Sequence, residues 1–115
     1  MKIISVDDEL WSSDLLKMMI ERVKSNNPKF KDINFADSFT NVTDAIDYLK
    51  ANKTDLIFLD IEMPEMNGLA FANKLEELHI TSKIVFLTAY SRYALEAWRT
   101  SAIDYILKPF DQSQL

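Results

Sequence analysis

The chain has 115 residues, 48% of them hydrophobic and 27% charged, with a net charge of −5. That length is one domain with a real core; the acidic balance, without a Lys/Arg cluster, excludes a basic nucleic-acid-binding surface, and the lack of cysteine excludes disulfides, thiolate metal sites and thiol catalysis. No apolar run suits a signal peptide or a membrane span, so a cytoplasmic protein is expected.

Short apolar runs alternate with longer amphipathic stretches. The first run is Ile3-Ile4-Ser5-Val6. Leu15, Leu16, Met19, Ile20 and Val23 then share one helical face, and Asn26-Asn27-Pro28 reads as a loop. Ile33 to Ala36 is a candidate second strand. Val42, Ala45, Ile46 and Leu49 form the next helical stripe, with Thr40 or Asn41 as its N-cap. After the loop Lys53-Thr54-Asp55 come the run Leu56-Ile57-Phe58-Leu59 and a stripe of Leu69, Ala72, Leu75 and Leu78. The run Ile84-Val85-Phe86-Leu87 precedes a shorter stripe of Ala94, Leu95 and Trp98, capped by Ser91. Ile103 to Leu107, interrupted by Asp104, is the last run. Runs this apolar suit strands buried on both faces of a parallel sheet. Their alternation with helices predicts right-handed βαβ units and a doubly wound α/β sheet. Asp111-Gln112-Ser113-Gln114 has the form of a helix-opening capping box close to the end, so a final helix is expected to be cut off from a longer protein; a polar tail is the other reading.

Ligands of open α/β sheets bind outside the carboxyl ends of the strands. The residues that follow the runs there are Asp7-Asp8-Glu9, Asp60, Thr88 and Lys108. Clustered carboxylates repel one another, and a hard oxygen-seeking cation such as Mg²⁺ relieves the repulsion; without His or Cys nearby, zinc or copper has no ligand set. Lys108 and Thr88 complete a cradle for a phosphoryl group, with Asp60 as the nucleophile.

Here the residues resemble a known family. Val6-Asp7-Asp8-Glu9, Phe58-Leu59-Asp60-Ile61-Glu62-Met63-Pro64, Asn67-Gly68, Leu87-Thr88-Ala89 and Asp104-Tyr105-Ile106-Leu107-Lys108-Pro109-Phe110 occur in the order and spacing of bacterial response-regulator receiver domains, across the whole chain. The resemblance implies a flavodoxin-like five-stranded parallel sheet in the order 2-1-3-4-5. It implies that Asp60 is phosphorylated, that Asp8 and Asp60 ligate Mg²⁺ by carboxylate and Glu62 by its backbone carbonyl, and that Asp7 supports the metal through water. Thr88 then contacts the phosphoryl group, Lys108 pairs with carboxylate or phosphoryl oxygens, Tyr105 is a switch aromatic, and the Lys108-Pro109 bond is cis. The stretch from Thr88 to Trp98 looks like receivers of LytTR-type or activator-type regulators. The implied partners are a histidine kinase or phosphotransfer protein and a DNA-binding output domain beyond residue 115, with a homodimer through the fourth-helix face; the domain itself binds neither nucleic acid nor membrane. It is a switch rather than an enzyme.

Other residues carry blander readings. Asn67-Gly68 reads as a turn without chemistry, His79 as a surface residue, and Trp11 and Trp98 as packing or interface residues. Two competing functions remain. A haloacid-dehalogenase-type phosphatase also uses an Asp-x-Asp after a strand, then Thr and Lys, with Mg²⁺; but its Asp-Asp pair follows the nucleophile instead of preceding it, and this chain has no room for a cap domain. A non-phosphorylated receiver-like scaffold is the other, opposed by the intact Asp8, Asp60, Thr88 and Lys108.

Overall fold

The computed structural model describes residues 1–61, 63, 67–88 and 104–108. In chain order these form β1 (Lys2–Val6), α1 (Leu10–Asn26), a 3-10 turn (Pro28–Phe30), β2 (Asn34–Phe39), α2 (Val42–Ala51), β3 (Leu56–Leu59), α3 (Gly68–Glu77), β4 (Lys83–Thr88) and β5 (Asp104–Leu107). The strands make one sheet in the order β2-β1-β3-β4-β5, and every pairing is parallel. This is the expected doubly wound order, with the switch point at β1 and β3.

The sheet is buried on both faces, which is why its strands are apolar without alternation. Successive side chains still point to opposite sides. Ile4, Val6, Ile57, Leu59, Ile84 and Phe86 pack with Val42, Ala45 and Leu49 of α2 and Phe71, Ala72 and Leu75 of α3. Ile3, Phe58, Val85, Leu87 and Ile106 pack on the other face with Leu16 and Ile20 of α1. Helix α2 starts at Asn41, the second of the two expected caps, whose side chain accepts from the Asp44 backbone N–H at 2.9 Å.

Two boundaries and one core residue differ from what the sequence predicts. Strand β2 runs on to Phe39, through Asp37 and Ser38, which lie beyond the expected apolar run Ile33 to Ala36. It is an edge strand paired only with β1, so polar side chains face solvent at no cost. Phe71, absent from the expected stripe of α3, is a fully buried member of its core. Helix α1 extends through Asn26, leaving the loop to begin at Asn27. The expected helix around Ala94, Leu95 and Trp98, the Lys108-Pro109 bond and the final helix lie outside the described residues.

Helix α3 ends in two reversed hydrogen bonds, His79 N–H to Glu76 O at 3.0 Å and Ile80 N–H to Leu75 O at 2.9 Å. This closing motif puts the residue after the cap in the left-handed region. His79 sits there with φ 58°, and it is exposed, as expected. A side chain in that region costs energy that glycine avoids, less the extra freedom glycine has when unfolded. His79→Gly is therefore expected to raise stability by up to about 1 kcal/mol, read as a higher urea midpoint with unchanged slope.

Candidate functional site

The parallel ladder does not stop at the last strand residue; it delivers the site. Asp7 donates its backbone N–H to Phe39 O at 2.9 Å, Asp60 to Val6 O at 3.0 Å, and Lys108 to Thr88 O at 2.8 Å. Each of these residues is thus held at a strand's carboxyl end by the neighbouring strand. Asp7, Asp60 and Thr88 are buried, whereas Asp8 and Glu9 are exposed at the mouth.

Lys108 organises the charges. Its ammonium donates to Asp7 Oδ2 at 2.7 Å and lies 3.7 Å from Asp60 Oδ2 and 3.6 Å from Glu9 Oε1. Its side chain is 7% exposed, so the pairing with Asp7 is largely out of water. The second oxygen of Asp7 accepts the Glu9 backbone N–H at 2.9 Å. Burial pulls the Lys108 ammonium down, but the bond to Asp7 and the charges of Asp60, Asp7 and Glu9 outweigh it, and the net shift is upward. Burial pushes the Asp60 carboxyl up to about 6; Lys108 opposes that shift, Asp7 adds to it, and a hydrogen bond with the Thr88 side chain opposes it. The Asp8 carboxyl is also raised, by partial burial and then by Asp7 beside it.

One carboxylate oxygen each from Asp7, Asp8, Glu9 and Asp60 falls within a 4.8 Å cluster. An all-oxygen set with one compensating ammonium suits a hard divalent cation better than a soft one. The structure brings together Asp7, Asp8, Asp60, Thr88 and Lys108, all expected from the sequence. Tyr105 is half-buried in β5, with its ring 6.3 Å from that of Phe86. The Glu62 carbonyl, expected as a ligand, lies outside the described residues.

Three residues gained a part that the sequence reading did not give them. Glu9 joins the cluster as a fourth carboxylate. Trp11, read as a packing or interface residue, is 59% exposed; it bonds Glu9 and stands near Lys108. Gly68 opens α3 with no Cβ because one would strike the Asp60 carbonyl oxygen and lie 2.8 Å from Ile61 Cα. Its N–H donates to Ile61 O at 2.6 Å, tying α3 to the chain just after Asp60. The signal was available: a chain's sole glycine at a helix start is poor helix material and marks a close backbone approach.

Residues 3–115 match the response regulator receiver domain family. The chain belongs to that family. Sensory transduction protein LytT of Bacillus anthracis is 43% identical to this receiver domain over 115 residues, which are 100% of this chain and 44% of that protein. The receiver domain thus spans less than half the length of that curated relative, and its LytT name agrees with the LytTR-type resemblance. The response regulatory domain of MrkE from Klebsiella pneumoniae superposes with a TM-score of 0.85 at 34% identity, covering 99% of this chain and 88% of that one. TrrA from Thermotoga maritima, solved in complex with Mg²⁺-BeF, gives 0.78 at 30% identity, covering 98% and 90%. Family membership disfavours the haloacid-dehalogenase reading, because a receiver is a signalling domain.

Two predictions follow from the geometry. Gly68→Ala is expected to destabilise the domain by about 1–3 kcal/mol, since backbone must move to admit the methyl group; chemical denaturation measures it. The second concerns Asp60 in metal-free protein. Its folded pKa of about 6 exceeds the ordinary 3.8, so the unfolded chain ionises first as pH rises. The resulting penalty is absent below 3.8, grows up to about 6 and is constant above. Asp60→Asn should therefore be more stable than wild type at about pH 7.5, with a smaller advantage at about pH 5. Equal urea midpoints for the two proteins at both pH values would contradict it.

Proposed function

We propose that this receiver domain is a phosphorylation-dependent switch that accepts a phosphoryl group on Asp60 from the phosphohistidine of a histidine kinase or phosphotransfer protein. The observation that carries the reading is the surroundings of Asp60: the Lys108 ammonium 3.7 Å from its carboxylate, the Thr88 hydroxyl bonded to it, and a carboxylate cluster beside it. With a pKa of about 6, Asp60 is mostly ionised at neutral pH. A carboxylate oxygen attacks phosphorus, the bond from phosphorus to the donor imidazole nitrogen breaks, and its electron pair stays on that nitrogen. Thr88 exchanges its bond to Asp60 for one to a phosphoryl oxygen, and Lys108 pairs with another.

Asp8 and Asp60, with the Glu62 backbone carbonyl, would hold Mg²⁺, and Asp7 would reach it through water. The ion would supply charge neutralisation for the phosphoryl oxygens. The domain's own chemistry is limited to self-phosphorylation from small donors and slow loss of the phosphoryl group.

Phosphorylation makes the site more negative and adds strong acceptor oxygens. Thr88 and Lys108 respond on neighbouring strands, joined by the Lys108 N–H to Thr88 O bond. Thr88 pairs with Leu107, and two residues back in the same register Phe86 pairs with Tyr105, so a shift of Thr88 reaches Tyr105 through the β4–β5 pair. The phosphoryl group selects between two pre-existing arrangements of the fourth-helix and fifth-strand face. Residues 1–115 are then the receiver part of a cytoplasmic response regulator. An output domain beyond residue 115, DNA-binding in this reading, or a second copy of the receiver, reads that face.

Intact mass after incubation with Mg²⁺ and acetyl phosphate tests this. Wild type should gain one phosphoryl mass; Asp60→Asn, or wild type without Mg²⁺, should gain none. A folded wild-type protein with no gain would favour the scaffold reading instead.

A further inference from the structure

Glu9 occupies the N-cap position of α1 yet makes no side-chain cap hydrogen bond. The side chains that cap helices well are the short ones of Ser, Thr, Asp and Asn; the longer Glu is not among them. Here the carboxylate points elsewhere. One oxygen lies 3.6 Å from the Lys108 ammonium, and the other accepts the Trp11 indole N–H at 3.0 Å. Trp11 is 59% exposed, an unusual place for a large aromatic. Its ring also lies 6.0 Å from the Lys108 ammonium, at the outer limit of a cation–π contact.

The Asp7 oxygens are already engaged. Oδ2 accepts from Lys108 at 2.7 Å, and Oδ1 accepts the Glu9 backbone N–H at 2.9 Å. Asp7 is thus the most closely engaged of the four carboxylates, while Glu9, bonded by the Trp11 indole and 3.6 Å from Lys108, keeps its charge at the mouth beside Asp8 and Asp60. Glu9 is the longest and most flexible of the three side chains, and at 48% side-chain exposure it is held in place mainly by its partners. Without the indole bond, the looser 3.6 Å pairing with Lys108 is what remains to hold it against swinging into solvent.

We propose that Trp11 is a positioning residue that keeps Glu9 at the mouth of the cation site, where Glu9 acts as a fourth carboxylate and strengthens divalent-cation binding. The proposal rests on the reading of the acidic cluster as a Mg²⁺ site. Glu9 contributes charge from the rim and Trp11 acts only through Glu9. The bond is exposed, so its influence is modest. Trp11→Phe keeps the ring and deletes the donor, and it should weaken Mg²⁺ binding about two- to fivefold. Glu9→Gln should weaken it at least as much, because it removes the charge itself.

The test is calorimetric titration of Mg²⁺ into metal-free protein for wild type, Trp11→Phe, Glu9→Gln and the double variant, with folding checked by circular dichroism. The expected result is a loss on Trp11→Phe that disappears when Glu9 is already Gln, so that the double variant binds like Glu9→Gln alone. A purely structural role for Trp11 would weaken binding equally in both backgrounds, and that outcome overturns the proposal, as does unchanged affinity in Trp11→Phe. If wild type binds no Mg²⁺ at all, the cation site itself falls, and the proposal falls with it. Wild-type binding that is lost in Asp60→Asn but indifferent to Trp11 overturns the positioning role alone.

Discussion

The Lys108 ammonium and the Asp7 carboxylate, 2.7 Å apart and both nearly out of water, are the interaction on which the carboxyl edge of the sheet depends. Four carboxylates converge there, and their mutual repulsion in a partly buried setting would push the strand ends apart or force protonation. Lys108 reaches three of them at once. The pair spans 101 residues of sequence, so it forms only when β1 and β5 are already in their places at the first and last positions of the chain's strand series. The site and the completed sheet are in this sense one structure.

The same arrangement sets the ionisation of Asp60. Burial makes its ionised form costly, while Lys108 and Thr88 hold the cost to a pKa of about 6. A carboxylate ionised at neutral pH but poorly solvated is a better nucleophile than one in bulk water, and it has something to gain from a new neutralising partner. In the proposed function, stability and reactivity are set against each other here, as is common where buried charge is retained for function.

Gly68 shows how closely the helix layer is tied to this chemistry. Helix α3 approaches the Asp60–Ile61 backbone too tightly for any Cβ, and the cap at Asn67 orients its first turn through the Leu69 N–H at 2.7 Å. The backbone just past Asp60 is thereby pinned between the β3 ladder and α3.

Much of this was legible in the sequence. Apolar runs punctuated by helical stripes specified the doubly wound class, because a strand buried on both faces has no other economical composition. The residues after each run named Asp7, Asp8, Asp60, Thr88 and Lys108, because ligands of such sheets gather at strand carboxyl ends. Periodicity failed at β2, where an edge position tolerates Asp37 and Ser38, and at Phe71, whose burial depends on a helix orientation that no local pattern records. Tertiary structure alone decided that Lys108 bonds Asp7 more closely than Asp60, that Glu9 joins the carboxylate cluster and bonds Trp11, and that Gly68 meets the Asp60 backbone. Each of these is a contact between segments far apart in the chain or a choice among partners within reach. Sequence determines which groups are available and roughly where each segment ends; distances of a few ångströms between competing charges exist only once the strands and helices are packed.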